Sequence, residues 1–381
     1  MKRIIVAPDS YKESLEAHEA AEAIAMGFRK VFPGLEICIC PLSDGGEGLV
    51  RALVHSSEGE IIEAVVKGPL GNEVTSFFGV LGDGETAVIE MAAASGLPLA
   101  PPDQRDPLVA TTYGTGELIR AALDRGCGKL IIGIGGSATN DGGAGMAQAL
   151  GVRLLNENGE EIPFGAGGLK GLVSIDMGGL DHRLKEVEII AAVDVDNPLC
   201  GPNGAAYVYG PQKGAGPDVL PLLDRALAQF AAVVEKDLGL GIINIPGAGA
   251  AGGLGGGLVA FLGAELKPGV EVVLDILKLE EEIKRGADLV VTGEGRINRQ
   301  TAYGKAPVGL AALAKKYGIP VIAINGAIGE GANAVLHKGI DAYFSSIPRP
   351  MTVQDALQEA STNLSEAAEQ CARLIKAVTA N

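Results

Sequence analysis

The chain has 381 residues, long enough for two cores, and a formal charge of −16; so acidic a surface repels nucleic-acid backbones, which are bound by surplus Lys and Arg. Apolar residues make up 47%, aromatics 4%, and Trp is absent, so the interior must be built from Ala, Val, Ile and Leu, and 56 glycines suit α/β layers joined by tight turns. The opening Met1-Lys2-Arg3-Ile4-Ile5-Val6 is too short for a signal peptide, and no segment approaches the roughly 20 apolar residues of a membrane span, so a cytoplasmic protein without a membrane partner is expected.

Residues 3–7 predict a strand, 15–31 a helix closed by Pro33-Gly34, and 35–40 a second strand. Cys38 and Cys40 fall on one face of that strand. With Cys127, Cys200 and Cys371 they are expected as reduced thiols, and as buried filler in preference to a metal or redox pair, because no second Cys/His pair stands at ligand spacing. Residues 60–66, 74–80 and 86–91 alternate apolar and polar side chains between Gly-rich turns, the pattern of an antiparallel meander. There follow a helix at 116–124, a strand at 129–134, a helix at 142–150, strands at 187–193 and 205–209, and a helix at 220–235. The final hundred residues return to strands at 289–292, 320–324 and 342–346, with helices at 308–317 and 332–338 and a terminal helix at 353–378.

Five short apolar strands shared between the two chain ends are what a doubly wound parallel sheet requires. The expected architecture is α/β: a discontinuous domain from 1–58 and 284–381, with a mixed α/β domain inserted at 59–283. The four histidines, His18, His55, His182 and His337, show no metal spacing.

The loops carry the chemistry. Residues 129–145 read as a buried strand, a loop of Gly, Ser, Thr, Asn and Asp, then a helix. Small residues admit a ligand close to the backbone, and free N–H groups at a helix start attract anionic oxygen; an ordinary capped helix after a tight turn has the same pattern. The loop is neither a Walker motif nor a dinucleotide fingerprint. A second glycine run at 247–257 could wrap a nucleotide or permit close helix packing. Acidic loops follow three strands: Asp44-Gly-Gly-Glu47, Asp194-Val-Asp196, and Glu294 with Arg296. At strand ends such carboxylates can hold Mg2+ together with phosphates, or accept a proton from a hydroxyl. Lys12, Lys213, Arg296, Arg299 and Lys305 stand in small-residue loops as candidate anion clamps, Arg299 the weakest.

Together these stretches, Ala7-Pro-Asp-Ser-Tyr-Lys12, Ser43-Asp-Gly-Gly-Glu-Gly48, Ala110-Thr-Thr-Tyr-Gly-Thr-Gly-Glu117, the 133–145 loop, Asp194-Val-Asp-Asn-Pro-Leu-Cys-Gly-Pro202, Gly210-Pro-Gln-Lys-Gly-Ala215, and Gly293-Glu-Gly-Arg296 with Gln300-Thr-Ala-Tyr-Gly-Lys305, resemble the bacterial glycerate kinases of the first, non-MOFRL type, nearly end to end and in order. The resemblance implies phosphoryl transfer from ATP to D-glycerate, with 2-phosphoglycerate the favoured product. It also implies a flavodoxin-like domain facing a second α/β domain across the active-site cleft. On this reading Asp194, Lys213, Lys12 and Asp44 are catalytic, and Ser10, Glu294, Arg296, Asn298, Gln300 and Thr301 bind substrate. Gly135, Gly136, Ser137, Thr139, Asn140 and Asp141 hold ATP phosphates, and Asp196 and Asp44 hold Mg2+. The small-molecule substrates are the expected partners, nucleic acid is not, and assembly into a homo-oligomer is left open. Asn298 stands where the family usually has Asp, which removes an ionisable group; Tyr11 and Glu13 replace the usual Phe and Gly beside Lys12. The alternatives are an NAD-dependent oxidoreductase of a small hydroxy acid, disfavoured by the missing fingerprint, and a catalytically silent sugar-acid sensor, supported by Asn298 alone.

Overall fold

The computed structural model describes residues 1–43 and 48–379. The chain divides into two compact units: Met1–Asp44, His55–Ser57 and Val270–Asn381 form the first, and Gly45–Val54 with Glu58–Gly269 the second. Residues 270–283, read from the sequence as part of the insert, fall in the first unit.

In the first unit five strands pair in parallel throughout. Their order is Ala342–Ser345, Val321–Asn325, Leu289–Thr292, Arg3–Val6, Glu36–Ile39, the flavodoxin-like arrangement that the resemblance implied. Ile4, Ile5, Val6, Val290 and Val291 are wholly buried, as strands covered by helices on both faces must be. The helix Ala17–Val31 places Ala20, Ala21, Ile24, Phe28 and Val31 on its buried stripe. It approaches Ala360–Thr379 closely at Gly27, where an added Cβ would fall 2.3 Å from the Ser365 carbonyl oxygen. The terminal helix is broken at Glu359 into Val353–Gln358 and Ala360–Thr379, and 332–338 winds as a 3-10 helix.

The order of strands reverses between Arg3–Val6 and Leu289–Thr292. Ligands of open parallel sheets collect at that reversal, beyond the carboxyl ends of the strands. The segments that leave there are 7–12 and 293–298, tied together by Ala7 N–H to Val291 O and Asp9 N–H to Gly293 O, both 2.8 Å.

The second unit is built on a six-stranded mixed sheet in the order Glu265–Lys267, Glu188–Ala192, Lys129–Gly133, Thr86–Glu90, Glu73–Val80, Glu60–Lys67. The first four run parallel and the last three form the meander read from alternation. Residues 205–209 are a correction. They form the helix Ala205–Tyr209, with Val208 N–H bound to Gly204 O and Gly210 N–H to Ala206 O. A five-residue apolar run cannot by its period distinguish strand from helix; here Gly204 and Gly210 bound one turn that buries Ala205 and Ala206 and exposes Val208. Among the described residues no helix is long and apolar enough to cross a membrane.

Candidate active site

In the second unit the strand Lys129–Gly133 ends in the glycine loop. Gly136 adopts φ +72°, the left-handed region natural to glycine, and its carbonyl accepts from Leu97 N–H at 2.9 Å. Beyond it the chain dives inward, and Thr139, Asn140 and Asp141 are wholly buried. The Asp141 carboxylate accepts from Thr112 N–H (2.8 Å), Thr112 Oγ1 (2.9 Å), Gly143 N–H (3.1 Å) and Gly145 N–H (3.2 Å). It therefore caps the helix Ala144–Ala149 and ties it to Thr112. Burial pushes its carboxyl above the usual range, against those hydrogen bonds, which pull it down.

Lys213 closes the 3-10 turn Pro211–Lys213 and is also wholly buried. Its Nζ donates to Ser137 Oγ at 2.7 Å and to the Thr139 carbonyl at 2.6 Å, stitching the glycine loop from within. Burial pulls the amine from its ordinary 10.5 down to about 7, opposed by the charge of Asp141. Beside it, Thr139 Oγ1 and both Asn140 side-chain atoms have no hydrogen-bond partner among the described residues. Three orphaned polar atoms on consecutive buried residues are unusual, since buried polar groups nearly always find partners.

A pocket of about 190 Å³ opens here, walled by Gly135, Gly136, Ser137, Asp194, Tyr209 and Lys213 among others. Asp194 and Asp196 follow the strand Glu188–Ala192 and are exposed; Asp194 Oδ1 accepts from Gly269 N–H at 3.1 Å. Tyr209 donates to Asn197 Oδ1 at 2.5 Å, and burial pushes its hydroxyl pKa up. The glycine run serves close packing and lines the pocket as well. The helix Ala250–Leu262 kinks through left-handed Ala251, Gly252 and Gly253, Gly252 O accepts from Gly142 N–H at 3.0 Å, and a Cβ on Gly252 would sit 2.0 Å from Thr139 O.

In the first unit the reversal point gathers Ser10, Tyr11, Lys12, Glu294 and Arg296. Tyr11 is buried and its hydroxyl donates to the Ile324 carbonyl; burial, with the charges of Glu294 and Asp9, pushes it far above its ordinary range. Gly295 lies against the Tyr11–Lys12 backbone, 3.2 Å from a built Cβ to Lys12 N. Glu294 is 5% exposed, and its carboxylate accepts from Thr301 Oγ1 at 2.6 Å and Lys305 Nζ at 3.2 Å. Its backbone N–H is held by Asn325 Oδ1 at 3.2 Å. Lys12, Arg296 and Gln300 are exposed and Ser10 half-buried. Asp44 lies outside the described residues.

The sequence matches the family model described as the glycerate kinase family over residues 4–376. The chain belongs to the glycerate kinase family. A glycerate kinase from Bacillus subtilis (strain 168) is 56% identical over 374 residues, covering 98% of each chain. Glycerate 2-kinase from Escherichia coli (strain K12) is 52% identical over 97% of each. The crystal structure of a putative glycerate kinase 2 from Salmonella typhimurium LT2 superposes with a TM-score of 0.92 at 51% identity, covering all of both chains. Membership makes this chain an enzyme, a phosphotransferase with an alcohol acceptor, and sets aside the sensor and oxidoreductase readings.

For a glycerate kinase carrying Asn298, the geometry removes much of the difficulty. Asn298 Oδ1 accepts from Gln300 N–H at 2.8 Å, and Asn298 N–H donates to Thr301 Oγ1 at 3.1 Å, a reciprocal cap on the 3-10 helix Arg299–Tyr303. Asn and Asp cap about equally well. Sequence reading quoted Thr112 within the 110–117 motif without giving it a role and overlooked Asn325; these are the side chains that hold Asp141 and the Glu294 backbone. A signal for Asn325 was present: a polar residue directly after an apolar strand, at the ligand-binding end of the sheet.

Proposed function

We propose that this enzyme transfers the γ-phosphoryl group of ATP to the 2-hydroxyl of D-glycerate in a single in-line step, giving 2-phosphoglycerate in the cytoplasm. The observation that carries the reading is the trio of orphaned atoms, Thr139 Oγ1 and Asn140 Oδ1 and Nδ2, beside buried Lys213 on a glycine loop. Such groups leave donors and acceptors that a polyphosphate or its bound water can satisfy. The name of the Escherichia coli relative, glycerate 2-kinase, supports the choice of hydroxyl.

In this reading the backbone of Gly135, Gly136 and Ser137, with Asn140 and the Lys213 ammonium, binds the phosphates. Lys12 and Arg296 hold the glycerate carboxylate, with Ser10 and Gln300 nearby in sequence. Glu294, Thr301 and Asn298 shape the loop that carries Arg296, and Asp141 fixes the glycine loop. The substrate oxygen attacks phosphorus, the bond to the ADP oxygen breaks, and Asp194 takes the hydroxyl proton. Mg2+ ordinarily takes one or two carboxylates and completes its shell with phosphate and water. Asp196 fits that demand, next to Asp194 as the base, though among the described residues no group of three acidic, His or Cys ligands converges. When bound, the ion neutralises charge on the transferring phosphates.

Phosphorus NMR of the product distinguishes the two hydroxyls, and a signal at the 3-position would overturn the regiochemistry. Asp194→Asn should lose at least about 100-fold in kcat with nucleotide binding retained. Activity within a few fold of the parent would move the base elsewhere.

A further inference from the structure

Cys38 and the residue two beyond it, Cys40, point to one face of the strand that carries Glu36–Ile39, because side chains alternate along a strand. Ile37 and Ile39 point the other way, into the core with Phe28 and Leu364. The strand lies at the edge of the five-stranded sheet. The two Sγ atoms are 3.3 Å apart. Cys38 is half-buried, and Cys40 is 8% exposed beneath it.

The surroundings are charged. Glu282 Oε2 lies 3.6 Å from Cys38 Sγ, and the Arg3 guanidinium binds both Glu282 and Glu36. The hydrogen bond with Cys40 lowers the Cys38 thiol from its ordinary value, opposed by burial and by Glu282 and aided by Arg3. The same contact, with burial, pushes Cys40 far up. The contact between the sulfurs thus favours loss of the proton from Cys38, the more accessible of the two, over Cys40.

We propose that Cys38 and Cys40 form a dithiol modification site that reacts with hydroperoxides, Cys38 as the attacking and Cys40 as the resolving sulfur. The Cys38 thiolate attacks one peroxide oxygen and the O–O bond breaks, giving the sulfenic acid and, with a proton, one water. The Cys40 sulfur then attacks Cys38 Sγ and displaces the hydroxyl as a second water, with the Cys40 proton. The two thiols lose two electrons and two protons, and hydrogen peroxide becomes two waters. An accessible thiolate beside a resolving cysteine is the usual arrangement of such sites. Residues two apart on a strand have Cα atoms about 6.6 Å apart, near the upper limit for a disulfide, so the bridge is one that a small dithiol readily reopens.

The test treats the native full-length enzyme with hydrogen peroxide and follows each cysteine by peptide mass spectrometry. The peptide holding both residues should lose two hydrogens, recover them with dithiothreitol, and react about tenfold faster than those holding Cys127, Cys200 or Cys371. Cys40→Ser should stop at a sulfenic acid that dimedone traps on Cys38, and Cys38→Ser should leave Cys40 unreactive. Because either variant could misfold, brief alkylation of the native parent by iodoacetamide supplies a second measure, with Cys38 labelled first. Reaction of Cys38 no faster than Cys127, a bridge between two molecules instead of within one, or unchanged loss of Cys40 in Cys38→Ser would each overturn the assignment.

Discussion

Lys213 is predicted to take up a proton when the nucleotide binds. A neutral amine has two N–H groups, and Ser137 Oγ and the Thr139 carbonyl accept both, at 2.7 and 2.6 Å; an ammonium has a third to place. Burial brings the group to about 7. At about 1.4 kcal/mol per pH unit, the gap of about 3.5 units from 10.5 amounts to roughly 5 kcal/mol against the charged form. One phosphate oxygen near 4 Å contributes on the order of 4 kcal/mol of attraction at an effective dielectric of 20, enough to return the amine to its charged state at pH 8. Calorimetric titration with ATP in buffers of different ionisation enthalpy should therefore show close to one proton taken up at pH 8 and little at pH 6. Lys213→Met should abolish the uptake. The sign for stability is the same as for a depressed carboxyl. Below pH 7 both folded and unfolded chains hold the proton, so this group's contribution is flat at its least favourable. Between about 7 and 10.5 only the unfolded chain does, so its contribution becomes more favourable as pH rises. No proton uptake at pH 8, or equal uptake in Lys213→Met, would show that the ammonium does not meet the phosphates.

Asn140→Leu removes a buried amide that lacks partners, so the unfolding temperature should hold or rise while activity falls by about 100-fold or more; a variant of full activity would deny the orphaned atoms their role. Gly252→Ala places a Cβ 2.0 Å from Thr139 O in a left-handed backbone. Urea unfolding should register a loss of about 2 kcal/mol or more, with a raised KM for ATP, and unchanged values of both would mean that the loop and helix are not locked together. Asn298→Asp keeps the acceptor that binds Gln300 N–H, so kcat/KM should stay within about threefold. A rise by orders of magnitude would instead restore that position as the catalytic base.

The architecture was legible because burial on both faces writes itself into continuous apolar runs such as Ile4-Ile5-Val6 and Leu289–Thr292, and because glycine and proline punctuate them. The same rule failed at Ala205–Tyr209, where five apolar residues satisfy either period. At the site the sequence identified loops more surely than roles. Lys213 was chosen as a loop cation, yet its complete burial depends on Ser137 and Thr139, more than seventy positions away. Asp141 looked like a phosphate ligand within a polar loop, but its oxygens are engaged by Thr112 and two glycine amides. Glu294 likewise holds Thr301 and Lys305. Which polar groups are already satisfied is a tertiary fact, and local pattern carries no record of it.

The placement of Arg3–Val6 between Glu36–Ile39 and Leu289–Thr292 has a consequence during synthesis. The first strand leaves the ribosome early, but its second neighbour follows roughly 280 residues later, about 15–60 s at 5–20 residues per second. The second unit is complete by Gly269 and can fold while the amino-terminal strand, helix and strand still lack their remaining partners. A nascent chain halted just before Leu289 would expose the open edge of Arg3–Val6, a template for pairing with other chains, so translation speed through the middle of the message bears on how much of the enzyme escapes aggregation.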